Sequence, residues 1–402
     1  MNERFTEGRQ NSVGVTDVNR WQSIFDAIEE GSSKREHERL LPFEQVALLK
    51  QHRFGALLSS TPVGRFRHLY LLAIGLGAAD ANVAHIFRNH FTVAEQYVRR
   101  GRKGRVSEWR QAVADGAVFG LASTELGSSP VGGNLPKTRL TRDGDGYRLD
   151  GTKYYSTGTL YADYVLVRAA TPDDVAATVI IPTNREGIEI LDDWDGAGQR
   201  LTASGTTQYH SVRVEADETI PDDAETGYGI GYSNTQAQLF LTAVNAGIAR
   251  AILNDGRALL NKRPRSFYYA TAERAAEDPL LQQVLGRIST NAFAAEAVVL
   301  AAADKLDLAT DARDAGLDAD DLAHDAALAA SQAKLIVDEL AIRNGDLLFE
   351  LGGASATKRS NNLDRHWRNA RTLASHNPGT TKAAAIGAYE ALGTPLPSKG
   401  FF

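Results

Sequence analysis

The sequence predicts an α+β chain in three segments: helices over residues 1–115, a sheet over 116–228 and a helical bundle over 229–402. Three observations predict this. Apolar residues recur at helical spacing in the first and last segments. The turn pairs Asp143-Gly144, Asp145-Gly146 and Asp150-Gly151 crowd the middle one. Between those turns, the apolar runs are short and rich in β-branched residues.

The elements follow in chain order. Trp21, Ile24, Phe25 and Ile28 share one helix face, and Val46, Leu48 and Leu49 mark another before a loop at 59–64. Residues 67–99 have few breakers beyond Gly75 and Gly77, so they read as one or two largely buried helices with glycines used for packing. Strands are expected at 147–149, 164–168, 178–181, 188–191 and 208–214. Tyr209, Ser211 and Arg213 alternate with His210, Val212 and Val214, the period of a half-buried strand. No helical stretch separates these runs, so the sheet is expected to be antiparallel. Helices are predicted over 234–261, 279–310, 319–350 and 379–392, with a polar break at 311–321. Long helices with short connections make a four-helix bundle.

Composition narrows the function. Lys plus Arg number 44 against 50 for Asp plus Glu, a mild acidity that argues against nucleic-acid partners. The absence of Cys removes disulfides, thiolate metal sites and thiol nucleophiles. The first residues are charged, unlike a signal peptide, and the apolar run 69–79 is about half of a membrane span. A soluble cytoplasmic protein, bound to no membrane, is the expectation. There is no dinucleotide fingerprint, phosphate loop, His-Glu-x-x-His or Gly-x-Ser-x-Gly element. His85 and His90 stand about 140° apart on a helix, too far round to share a metal.

The chemistry-bearing segments are 119–129, 151–158, Gly352-Gly353-Ala-Ser, 364–371 and His376-Asn377-Pro378. The first places hydroxyls and glycines where a helix passes into a strand, suited to hydrogen-bonding an anionic or polar ligand. The second sets Tyr154, Tyr155, Ser156 and Thr157 at a strand end, a wall for a flat heteroaromatic ring with a polar edge.

In this order and spacing, these segments resemble the acyl-CoA dehydrogenase superfamily from about residue 20 onward. The resemblance implies an N-terminal α-helical domain, a middle β domain with flavin loops and a C-terminal four-helix bundle. Thr124-Glu125 and Gly127–Ser129 match its Thr-Glu-Pro-Gly-x-Gly-Ser loop, with Leu126 in place of Pro. Gly151-x-Lys153 and Thr157 match its Gly-x-Lys-x-Trp-Ile-Thr loop, with Tyr155 where a Trp usually stacks. Arg265-Ser-Phe267 matches the Arg-x-Phe that reaches a flavin phosphate in a neighbouring subunit, which implies a homotetramer. Gly352-Gly353 and Arg368-Asn-Ala-Arg371 match elements of the last helices. Flavin contacts are thereby expected from Leu121, Thr124, Gly127, Ser128, Ser129, Tyr155, Ser156, Thr157, Trp194, Arg265, Gly353 and Asn377.

The departures redirect the chemistry. The Glu that strips a thioester α-proton in the dehydrogenases falls on Asn377, and an amide is no base. The alternative seat on an earlier helix is empty too: no Glu lies between Glu225 and Glu273, and no Asp between Asp223 and Asp255. His376 fills the space. The tail 364–378 and the stretches 154–163 and 194–200 look like the flavin-dependent monooxygenases built on this fold, in the dibenzothiophene desulfurization and sulfur-acquisition group. That resemblance implies reduced FMN, with FAD as the other candidate, supplied by a separate NAD(P)H:flavin reductase. It also implies O2, a C4a-hydroperoxide, and a small apolar substrate that carries sulfur or nitrogen or is aromatic. His376, His90 and Ser156 become the expected catalytic residues. The alternative is an FAD-dependent acyl-CoA dehydrogenase with a relocated base.

Overall fold

The computed structural model describes residues 15–61, 64–127, 135–222, 229–263, 266 and 268–402. The first helices are α1 (Val15–Glu29), α2 (Ser32–Glu38), α3 (Phe43–Gln51), α4 (Leu57–Ser60), α5 (Arg65–Ala79), α6 (Ala81–Val93) and α7 (Val106–Ala114). Asp80 breaks the apolar run into two helices. Its backbone is extended, and its carboxylate accepts from the N–H groups of Asn82 (3.0 Å) and Val83 (3.4 Å), capping α6.

The middle segment holds β1 (Phe119–Ala122), β2 (Arg139–Asp143), β3 (Gly146–Lys153), β4 (Tyr164–Ala170), β5 (Ala176–Pro182), β6 (Ile188–Ile190), β7 (Thr207–Val214) and β8 (Thr219–Pro221). The sheet runs β6-β7-β3-β2-β4-β5-β8, with β1 beside β4. It is mixed rather than purely antiparallel: β1 pairs β4 in parallel, and β2 meets β4 in parallel at Arg139–Ala170. The β2–β3 hairpin between them supplies the long crossover that a parallel pair requires, a role the sequence reading reserved for helices.

The last segment contains α8 (Thr235–Lys262), α9 (Pro279–Asp314), α10 (Asp320–Gly352), α11 (Asp364–Ala374) and α12 (Gly379–Leu392). The first three pack on one another, and α11 and α12 lie against α10. The tightest crossing joins the helical segments. A Cβ on Gly247 of α8 would stand 2.5 Å from the Ile74 carbonyl of α5, and one on Gly77 would stand 3.0 Å from Val244 O. Glycine lets α5 and α8 meet backbone to backbone, which brings α6 and its polar residues under the sheet. Among the described residues, α9 is the one helix long and apolar enough to cross a membrane by length and composition.

Candidate active site

Two loops meet at the end of β3. The Tyr154 N–H donates to Thr124 O at 2.9 Å, tying the first expected flavin loop to the second. Below this bridge lies Lys153, 0% exposed, with its ammonium 2.6 Å from Glu125 Oε1. Glu125 also accepts from the Thr138 N–H and hydroxyl and from the Lys137 N–H. Burial alone would raise the Glu125 pKa, but these donors hold it at about 2. Burial brings Lys153 down to about 8 against the pull of Glu125. The acid in the motif is therefore a permanently ionised anchor, not a proton acceptor for substrate.

Tyr155 follows with a left-handed φ of 56° and a ring 55% exposed. The Trp194 ring stands edge-on to it, 6.1 Å away at 79°. Ser156 donates its N–H to Gly205 O at 3.1 Å, while its buried hydroxyl has no partner. Thr157 O accepts from Asn89 of α6 at 2.8 Å. A chain of hydroxyls then runs from Thr157 Oγ1 to Ser204 Oγ (2.7 Å), to Thr202 Oγ1 (2.7 Å) and to Gln199 O (2.9 Å).

Gln199 is the hub that sequence reading missed. Its carbonyl also accepts from Trp194 Nε1 at 2.9 Å, and its N–H donates to Asn369 Oδ1 of α11 at 2.6 Å. Its side-chain oxygen lies 3.1 Å from His85 Nδ1. Burial, then Arg88, lower the His85 pKa to about 3 despite the Gln199 contact. The ring is neutral, and its Nε2 is buried without a partner. His85 stood in the sequence only as half of an unworkable metal pair. The available signal was a lone imidazole within the apolar stretch of α6.

His376 and Asn377 join α11 to α12. The Lys334 ammonium of α10 donates to Ala374 O at 3.3 Å, just before them, and pairs with Asp338. Asn245 of α8 also holds Asp338, at 2.7 Å. Asn377 is 2% exposed and donates its amide to Gln238 of α8. Two amides thus face each other where a dehydrogenase needs a carboxylate. His376 is exposed. Even so, the protein around it, then Arg88, His85 and Lys334, push its pKa well below the ordinary histidine value. At neutral pH it is an uncharged imidazole.

Other expected site residues lie elsewhere. His90 does not face the cavity. It is 0% exposed, its Nδ1 accepts from the Phe119 N–H (3.1 Å), and its Nε2 bonds Gly55 O (2.9 Å). Both nitrogens serve the backbone, so the expected catalytic role is corrected to a structural one. The Leu121 side chain is packed in the apolar cluster of Trp109, Phe119 and Leu166 rather than offered to a ligand. Gly353, with φ of 60°, caps α10 beside Arg263. It lies about 28 Å along that helix from Lys334, so this chain does not bring it to the same site. Gly127 is exposed near Lys137. Ser128, Ser129 and Arg265 lie outside the described residues.

The chain is similar in sequence and fold to known proteins. Residues 120–212 match the acyl-CoA dehydrogenase middle domain and residues 239–378 its C-terminal domain. A dibenzothiophene monooxygenase of Mycolicibacterium goodii is 31% identical over 340 residues, covering 81% of this chain and 80% of that protein. The probable FMNH2-dependent monooxygenase SfnC of Pseudomonas putida is 26% identical over 378 residues, covering 92% and 91%. The FMN-bound structure of TdsC from Paenibacillus sp. A11-2 superposes with a TM-score of 0.82 at 24% identity, over 95% of this chain and 99% of that one. The chain belongs to the acyl-CoA dehydrogenase superfamily and, within it, to the flavin-dependent monooxygenases related to dibenzothiophene monooxygenase.

Proposed function

We propose that this chain is the oxygenase of a two-component system that works in the cytoplasm. It takes reduced FMN, or less readily FADH2, from an NAD(P)H:flavin reductase. It then oxygenates a small apolar molecule at sulfur or nitrogen, or on an aromatic ring. The observation that carries this reading is the pairing of Asn377 with Gln238 beside a neutral His376.

The residues present fit a flavin. Ser156 Oγ, His85 Nε2, Gln199 Nε2 and Asn377 Oδ1 are buried without partners, a cost the fold carries for groups that await a polar ring edge. Tyr155 and Trp194 would flank the ring, and Thr124, Ser156 and Thr157 would hold its edge. When bound, reduced flavin supplies two electrons and the C4a carbon at which O2 is activated. For a thioether the balance is thioether plus reduced FMN plus O2 giving sulfoxide, FMN and water.

The chain's own groups govern the proton. His376, neutral at rest, accepts one beside the reacting oxygen and returns it readily, because its surroundings disfavour the charged form. His85, locked to Gln199 at Nδ1, presents Nε2 to the same space.

Self-association is part of the proposal. One face of α9 exposes Gly286, Thr290, Phe293, Ala297 and Ala301, and Phe293 is 74% exposed. Small residues beside a single large one suit close helix packing against another copy, in line with a homotetramer.

The test supplies a flavin reductase, NADH, FMN or FAD, labelled O2 and a panel of thioethers, amines and indoles. Product carrying one labelled oxygen is expected from the wild type. The His376→Gln variant should lose roughly 100-fold in product while reduced FMN is still consumed. Desaturation of an acyl-CoA, or unlabelled product, would refute the reading.

A further inference from the structure

After α12 the chain reverses at Gly393 and lays segment 396–402 back across the bundle. The segment is extended and irregular, yet it is pinned along its length. The Leu396 N–H donates to His324 Nε2 of α10 (3.2 Å), and its carbonyl accepts from the Tyr232 hydroxyl (2.8 Å). Ser398 O accepts the Tyr232 N–H (2.8 Å), and Gly400 O accepts from Asn234 Nδ2 (2.7 Å). Phe401 O accepts from the Lys382 ammonium at 2.5 Å, and that ammonium lies 4.3 Å from the centre of the Phe402 ring. Lys382 is 3% exposed, and Leu396 and Phe402 are buried.

These anchors deliver one side chain to the active site. The Phe401 ring meets the His376 ring at 86°, with centroids 6.3 Å apart. An edge-to-face contact of this kind restrains an imidazole without occupying its nitrogens. His376 sits in the short junction between two helices, where nothing in its own backbone fixes the ring.

We infer that Phe401 is a positioning residue for His376, held against it by the Lys382 latch. The inference deepens the function proposed above, because its catalytic consequence rests on His376 managing the proton. Without Phe401 the imidazole swings, and activated oxygen escapes as hydrogen peroxide instead of entering the substrate.

Two measurements test it. The first is coupling, product formed per reduced FMN consumed, in Phe401→Ala, Phe401→Tyr, Lys382→Met and Lys382→Arg. Phe401→Ala and Lys382→Met should lose on the order of tenfold in coupling, with peroxide making up the difference. Phe401→Tyr and Lys382→Arg should regain most of it. The second needs no turnover: the rate at which diethyl pyrocarbonate modifies His376, read by peptide mass against exposed His210. Phe401→Ala should raise that rate about fivefold in the flavin-free protein by releasing the ring. An unchanged modification rate, or equal losses in the Ala and Tyr variants, would overturn the inference. A wild type that gives no oxygenated product while Phe401→Ala still raises the His376 modification rate would instead refute the proposed function and leave the packing of Phe401 on His376 standing.

Discussion

Ser156 and His90 show how differently two buried polar side chains can be spent. The Ser156 hydroxyl is buried without a partner, which costs about 1–3 kcal/mol. Ser156→Ala should therefore leave the flavin-free melting temperature unchanged or slightly higher, while coupling falls about tenfold. A scan of thermal unfolding beside a peroxide assay separates the two effects. His90 has both nitrogens committed and a pKa lowered to about 4 by burial, against the pull of Gly55 and Asp163. The folded state thus binds fewer protons than the unfolded chain between pH 4 and about 6.5. The stability linked to this group is complete above about 6.5 and is lost as pH falls toward 4, a change of about 3 kcal/mol. Unfolding in urea across that window should show the loss, and His90→Phe should flatten that part of the profile while lowering stability at neutral pH.

At the scale of elements, the crossing of α5 and α8 sets where the site residues stand. A Cβ at residue 247 would sit 2.5 Å from the Ile74 carbonyl, so Gly247→Ala forces the helices apart. The expected cost is about 2–3 kcal/mol, measurable by urea denaturation. Reduced-FMN binding should weaken along with it, because α6 moves with α5. Asp80, between α5 and α6, caps α6 with its carboxylate. The sheet was less legible. Its strands β1, β2 and β8 were not among those expected: β1 has four residues, β2 alternates imperfectly, and β8 has only three residues. The parallel β1–β4 pair joins residues that a hairpin separates in the chain, and no local pattern records such pairing.

For the whole molecule, the outward stripe of α9 makes a prediction of its own. Phe293→Glu places a charge in what we propose is a helix–helix contact, so light scattering should report a shift from tetramer toward smaller species. Monomer helicity should persist, since Phe293 is 74% exposed and contributes little to its own chain's core.

By itself the sequence determined the α–β–α order and held the motifs around Thr124 and Ser156 and the amide at Asn377 on which the family resemblance rests. These rest on periodicity and on residues adjacent in the chain, which local physics records directly. Only the tertiary structure decided which polar groups are free to act. His85 and His90 are five positions apart on one helix, yet one leaves a nitrogen unpartnered beside Gln199 and the other is consumed by backbone. That difference depends on Gly55, Phe119 and Gln199, which lie far from them in sequence. A buried imidazole's chemistry is set by whatever long-range folding packs against it.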